Sequence, residues 1–156
     1  MMSRPRSSVR SILKYWLPPL IWAVAISVFS TSSFSSDQTS QFFVPILQWA
    51  FPQAPMDVLL ALHFSVRKFG LLSEYFLLTI LLYRAFREDT TFRWQPRWAV
   101  ATLSLVLLYS VADELHQSFV PNRSATAGDS LIDFLGGSCA IALLYLRHRA
   151  QSVPAS

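Results

Sequence analysis

Twenty-five residues, Asp113 to Gly137, carry most of the side chains capable of chemistry: DELHQSFVPNRSATAGDSLIDFLGG. The stretch holds four carboxylates (Asp113, Glu114, Asp129 and Asp133), with His116, Gln117 and Arg123 between them. Apolar segments flank it on both sides, and ionisable groups at membrane depth are costly enough to need a reason. A carboxylate or imidazole held away from bulk water can serve as a general acid or base. Asp113, Glu114, His116, Asp129 and Asp133 are therefore the candidate catalytic groups. Asp113 is three residues from His116 and four from Gln117, and Asp129 is four from Asp133. Such spacings put each set on one helical face.

Upstream, Arg67, Leu71 and Glu74 line up on one face of another helix, beside Lys68. Arg67, Lys68 and Arg123 suit a lipid phosphate, because cationic donors make strong, charge-assisted hydrogen bonds to phosphate oxygens. Glu74 and Gln117 complete the candidate binding set. The same acids with His116 are also donors for a hard or borderline cation. Their spacing matches no zinc signature such as HExxH, and the sequence assigns neither a metal nor another cofactor. A third reading is a salt-bridge network that only fixes helix register. Five acids against three bases exceed what a structural pair requires, which favours a site.

The elements that must position these groups follow from composition. The chain has 156 residues, 53% hydrophobic and 14% charged, with the apolar residues in blocks. That is one domain's length, and about half the charge of an average soluble protein. A small all-α polytopic membrane bundle fits this pattern. The net charge of +4 does not indicate nucleic acid, since the basic residues cap apolar blocks and form no basic helix with interleaved aromatics. Cys139, the single cysteine, reads as a small buried side chain.

Residues 1–14 are a basic head, and the apolar run from Tyr15 to Phe29 reads as an uncleaved signal anchor. Residues 31–56, with Pro45, Pro52 and Pro55 among aromatics, read as a loop with a short interfacial segment. Asp57 is a plausible N-cap for a helix running through Arg67, Lys68 and Glu74 to Phe86. Pro96 then marks the start of the next helix. Trp98 to Ala112 is 15 residues without a charge, about 22 Å against a hydrocarbon core of about 30 Å. This helix must therefore carry Asp113 and Gln117 into the outer part of the bilayer. The fourth segment, Leu131 to Leu146, contains Asp133 and is followed by a polar tail, 148–156. His63 and His148 read as incidental, on an interfacial segment and in a basic end.

Four spans put both termini and the 84–97 turn on one side, with ten of the thirteen lysines and arginines. By the positive-inside rule that side is cytoplasmic. Arg67, Lys68, Glu74 and the 113–137 stretch then face the extracytoplasmic side.

The pattern D-E-x-H-Q-x-F-V-P-x-R followed by D-x-x-x-D-x-x-G resembles the signature of the VanZ-like integral membrane proteins, and Arg67, Lys68, Glu74 and Tyr75 resemble that family's upstream motif. The resemblance covers residues 15–147. One departure is Leu71, where the family usually has a histidine three residues before the glutamate. The resemblance implies a bacterial cytoplasmic membrane and a link to low-level resistance to the glycopeptide teicoplanin, without settling an activity. It carries over Arg67, Lys68, Glu74, Asp113, Glu114, His116, Gln117, Arg123, Asp129 and Asp133 as the polar positions. The leading expectation is a pocket that binds, or binds and modifies, an envelope lipid or lipid-linked cell-wall precursor. Its rivals are a non-catalytic accessory protein and, less attractively, a transporter or channel subunit. Oligomeric state is not legible.

Overall fold

The computed structural model describes residues 9–31, 35–88, 94–120 and 127–152. Five helices account for about 90% of those residues: α1 (Val9–Phe29), α2 (Ser36–Ala50), α3 (Met56–Arg87), α4 (Pro96–Ser118) and α5 (Ala127–Ser152). No strand occurs among the described residues. All but α2 are long and apolar enough to cross a membrane. The architecture is that of an all-α membrane bundle with four spans.

The helix starts follow local chemistry in part. Pro96 opens α4 at its first turn, where its missing N–H is not needed. Ser35 caps α2 by accepting from the Gln38 backbone N–H. Asp57 is not the N-cap of α3: that position is Pro55, without a side-chain cap. Asp57 instead lies in the first turn, where a negative charge still favours the helix dipole. The 31–56 stretch is more ordered than its prolines suggest, because Pro45 sits inside α2 rather than ending it. None of the residues of α2 is buried.

Side-chain pairs fix how the spans run. Trp22 donates to the Glu74 carbonyl (2.9 Å) and the Trp16 and Phe86 rings meet edge to face, so α1 and α3 are antiparallel. Tyr109 donates to the Ala23 carbonyl (2.6 Å) and Ser30 to Asp113, so α1 and α4 run in parallel. Lys68 pairs with Asp129, while Gly136 and Gly137 press on Leu72 and Thr79, so α3 and α5 are parallel. The described basic residues thereby fall into two groups. Arg10, Lys14, Arg84, Arg87, Arg97, Arg147 and Arg149 lie at one end, Arg67 and Lys68 towards the other.

Ile26, Tyr75, Leu78 and Val106 form the core, with Trp22, Ala23, Leu82 and Tyr109 packed against them. The tightest contact is between α3 and α5. A Cβ on Gly136 would lie 2.3 Å from the Leu72 carbonyl oxygen, and one on Gly137 2.9 Å from Thr79 Oγ1. Small residues let membrane helices approach this closely, and the fully buried Ala140 continues the same face. Leucines and valines such as Leu20, Val24, Val100, Leu108, Leu143 and Leu146 point outward, the inverse of a water-soluble bundle. Cys139 is exposed rather than buried, because the α5 face that packs inward is set by Gly136, Gly137 and Ala140.

Candidate functional site

Helix α4 carries Asp113 and Gln117 inward on one face, both buried. Ser30, just past the end of α1, donates to Asp113 Oδ2 at 2.6 Å, and Gln117 Nε2 donates to the same oxygen at 2.9 Å. Gln117 Nε2 also reaches Ser30 Oγ at 3.2 Å. Three buried polar side chains thus close a small ring between α1 and α4. One turn deeper, Ser110 donates to Asp133 Oδ2 at 2.8 Å, joining α4 to α5. Among the described residues, Asp133 Oδ1 and the Tyr75 hydroxyl are buried without a hydrogen-bond partner. Both Asp113 and Asp133 lie within electrostatic range of that hydroxyl.

The other candidates are distributed around this interior. Lys68 pairs with Asp129 between α3 and α5, with roughly a fifth to a quarter of each side chain exposed. Glu114 is half-buried on α4, near enough to act on Asp133. His116 is exposed and shares a shallow cleft of about 230 Å³ with Asp113, Tyr109, Ser27 and Ala112. Arg123 lies outside the described residues.

Arg67 and Glu74 face a different space. A pocket of about 250 Å³ lies between the end of α1, α2 and α3. Its stripe on α3 is His63, Arg67, Gly70, Leu71 and Glu74, with Phe29 and Ser30 from the α1 end and Thr39 and Phe43 from α2. Arg67 Nη1 donates to Thr39 Oγ1 at 3.0 Å, and Thr39 Oγ1 also meets His63 Nε2 at 3.2 Å. His63 is 4% exposed. It is a pocket residue rather than the incidental histidine of an interfacial segment. Leu71 lines the same wall.

The nine described residues among those singled out from the sequence therefore do not converge on one cavity. Arg67 and Glu74 line the pocket, Asp113 and Gln117 sit behind its wall through Ser30, Asp133 lies in the core, and Lys68 and Asp129 engage each other. Ser30, Thr39, His63 and Ser110 were not among the candidates. Ser110 was the most accessible to spacing, three residues before Asp113 on an inward face. Among the described residues, no group of three or more His, Cys, Asp and Glu side chains is placed to hold a metal ion.

Fold and site together define a small polytopic membrane protein with a polar interior and a pocket at one end of the bundle. The VanZ/LLP1 family model matches residues 12–148, and the chain belongs to that family. No curated protein and no solved structure matches the chain.

Proposed function

We propose that this VanZ-like protein binds the polar end of an envelope amphiphile, a lipid or lipid-linked cell-wall precursor, in the bacterial cytoplasmic membrane. The observation that carries this reading is the pocket itself. Phe29, Phe43, Val66 and Leu71 supply apolar walls around Arg67, Glu74, His63, Thr39 and Ser30. Apolar walls with a few convergent polar groups suit an amphiphilic ligand, and a guanidinium suits its phosphate. The positive-inside rule places this pocket towards the extracytoplasmic side, where such precursors meet glycopeptide antibiotics. Protection against teicoplanin is a proposed consequence of holding the ligand there.

The carboxylates support the wall in this reading. Asp113, Asp129 and Asp133 each take a hydrogen bond or ion pair from a neighbouring helix. One observation favours a chemical step as a second reading. Ser30 lines the pocket and its Oγ donates to Asp113, which gives the proton of a bound hydroxyl a route through Ser30 to the carboxylate.

Comparative lipid mass spectra separate the two. Membranes with the wild type, Arg67→Gln and Asp113→Asn are compared at matched protein levels. Binding alone predicts identical bulk lipids in all three, with one species co-purifying with wild type and reduced about tenfold with Arg67→Gln, a loss in line with one charge-assisted hydrogen bond. A bulk species that appears with wild type and Arg67→Gln but vanishes with Asp113→Asn would replace binding by the chemical reading.

A further inference from the structure

The opposite end of the bundle holds a second built cavity, of about 270 Å³, between the last turns of α3 and α5. Helix α3 presents Ile80, Tyr83, Arg84 and Arg87 to it, and α5 presents Leu144, Arg147 and Gln151. The positions recur at three, four and seven residues, so each set forms one helical stripe. Because α3 and α5 run in parallel and press together at Gly136, the two stripes face each other along one cleft. Arg84, Arg87, Arg147 and Gln151 line its outer part, and no acidic residue is among its described lining residues. Ile80 and Leu144 line the inner part. Cationic at the rim and apolar within, the cleft has the polarity of a lipid.

Aromatic rings set its depth. Tyr83 stacks on Trp94 (centroids 5.6 Å apart) and meets Trp98 edge to face, and Trp94 meets Tyr145 at 5.2 Å. Trp16 and Phe86 add a further pair, and Arg84 sits over the Tyr15 ring at 5.6 Å. A belt of tryptophan and tyrosine marks the headgroup level of a bilayer. The arginines at that level are therefore beside lipid phosphates rather than in open water, and basic clefts between helices on the cytoplasmic face bind anionic headgroups.

We propose that Arg84, Arg87 and Arg147 form a specific site for the phosphate of an anionic membrane lipid, its acyl chain running along Ile80 and Leu144. Guanidiniums bind phosphate oxygens through paired N–H groups, and two parallel helices clamped by one headgroup resist separation at this end. The site is distinct from the α1–α2–α3 pocket and does not rest on the function proposed for that pocket.

The test is a native mass-spectrometric titration of the full chain in mild detergent with phosphatidylglycerol. Phosphatidylcholine is the zwitterionic comparison and inorganic phosphate the competitor. The site predicts one tight phosphatidylglycerol adduct, weakened about tenfold or more by Arg147→Gln, in line with a lost charge-assisted hydrogen bond. Leu144→Trp, which keeps every charge but fills the cleft, should weaken it as much. Arg97→Gln removes a charge at the same end but outside the cleft, over the Trp98 ring, and should leave the adduct unchanged. Equal loss with Arg97→Gln would mean diffuse attraction and overturn the site. Equal binding of phosphatidylcholine would overturn its anionic character. Displacement of the lipid by millimolar inorganic phosphate would overturn the lipid as its occupant.

Discussion

Gly136→Ala is expected to destabilise the bundle by about 3 kcal/mol or more, the upper end of the usual overpacking range. The added Cβ would lie 2.3 Å from the Leu72 carbonyl oxygen and 3.1 and 3.2 Å from the carbon atoms behind it. These are backbone atoms of α3, which cannot swing aside as a side chain can. Relief requires α5 to lift away from α3. The Lys68–Asp129 pair depends on that same approach. Thermal unfolding in detergent, followed by circular dichroism, checks the effect. Gly70→Ala is the matched control: nothing lies within 4 Å of its Cβ, so the helix-propensity gain of up to about 1 kcal/mol should leave it as stable as wild type or more so. A Gly136→Ala protein melting with the wild type would mean that α3 and α5 are not packed backbone to backbone.

Asp113→Leu is the second large effect, and Asp113→Asn separates its causes. Asp113 Oδ2 accepts from both Ser30 and Gln117 in a buried ring. Leucine leaves two buried donors without that acceptor, at about 1–3 kcal/mol for each group left unsatisfied. Ser30 and Gln117 are within reach of each other and recover part of this, so a net loss of about 2–4 kcal/mol is expected. Asparagine offers a carbonyl oxygen with two lone pairs and should stay within about 1 kcal/mol of wild type. Melting curves of the two variants check the ordering. If asparagine were as damaging as leucine, the negative charge rather than the hydrogen bonds would hold α1 to α4.

Much of the fold was legible because membrane helices announce themselves as uncharged blocks. The insufficient length of Trp98–Ala112 foretold that α4 must continue through Asp113 and Gln117, and it runs to Ser118. Helix α2 was less visible: its three-proline neighbourhood reads as loop, and only the Ser35 cap and Asp37 in the first turn argue for a helix. Cys139 looked buried because it lies inside the last apolar block, two residues from Gly137, yet two steps along a helix turn about 200°, and that rotation carries it outward.

Spacing also made the inward face of Asp113, Gln117 and Asp133 legible, all three being buried, but it set His116 with Asp113 and Gln117, and His116 is exposed. The grouping of the polar residues was not legible. Which cation meets which acid depends on the register between α3 and α5, and local sequence does not encode that register. It couples Lys68 to Asp129 and sets Arg67 in the pocket lining. Ser30 gains its role only because the end of α1 lies beside α4, and His63 only because α2 folds back over α3.

Filling the pocket tests the central claim most directly. Leu71 lines its wall without being a hydrogen-bonding partner there, so Leu71→Trp should occupy the cavity while leaving the Ser30–Asp113–Gln117 ring and the Lys68–Asp129 pair in place. Wild type and variant are purified in mild detergent, matched by melting temperature, and compared by native mass spectrometry for retained amphiphile. The account predicts an adduct on the wild type, beyond any phosphatidylglycerol held in the α3–α5 cleft, that is absent from Leu71→Trp. The same adduct, at the same occupancy, on a folded Leu71→Trp protein would contradict it.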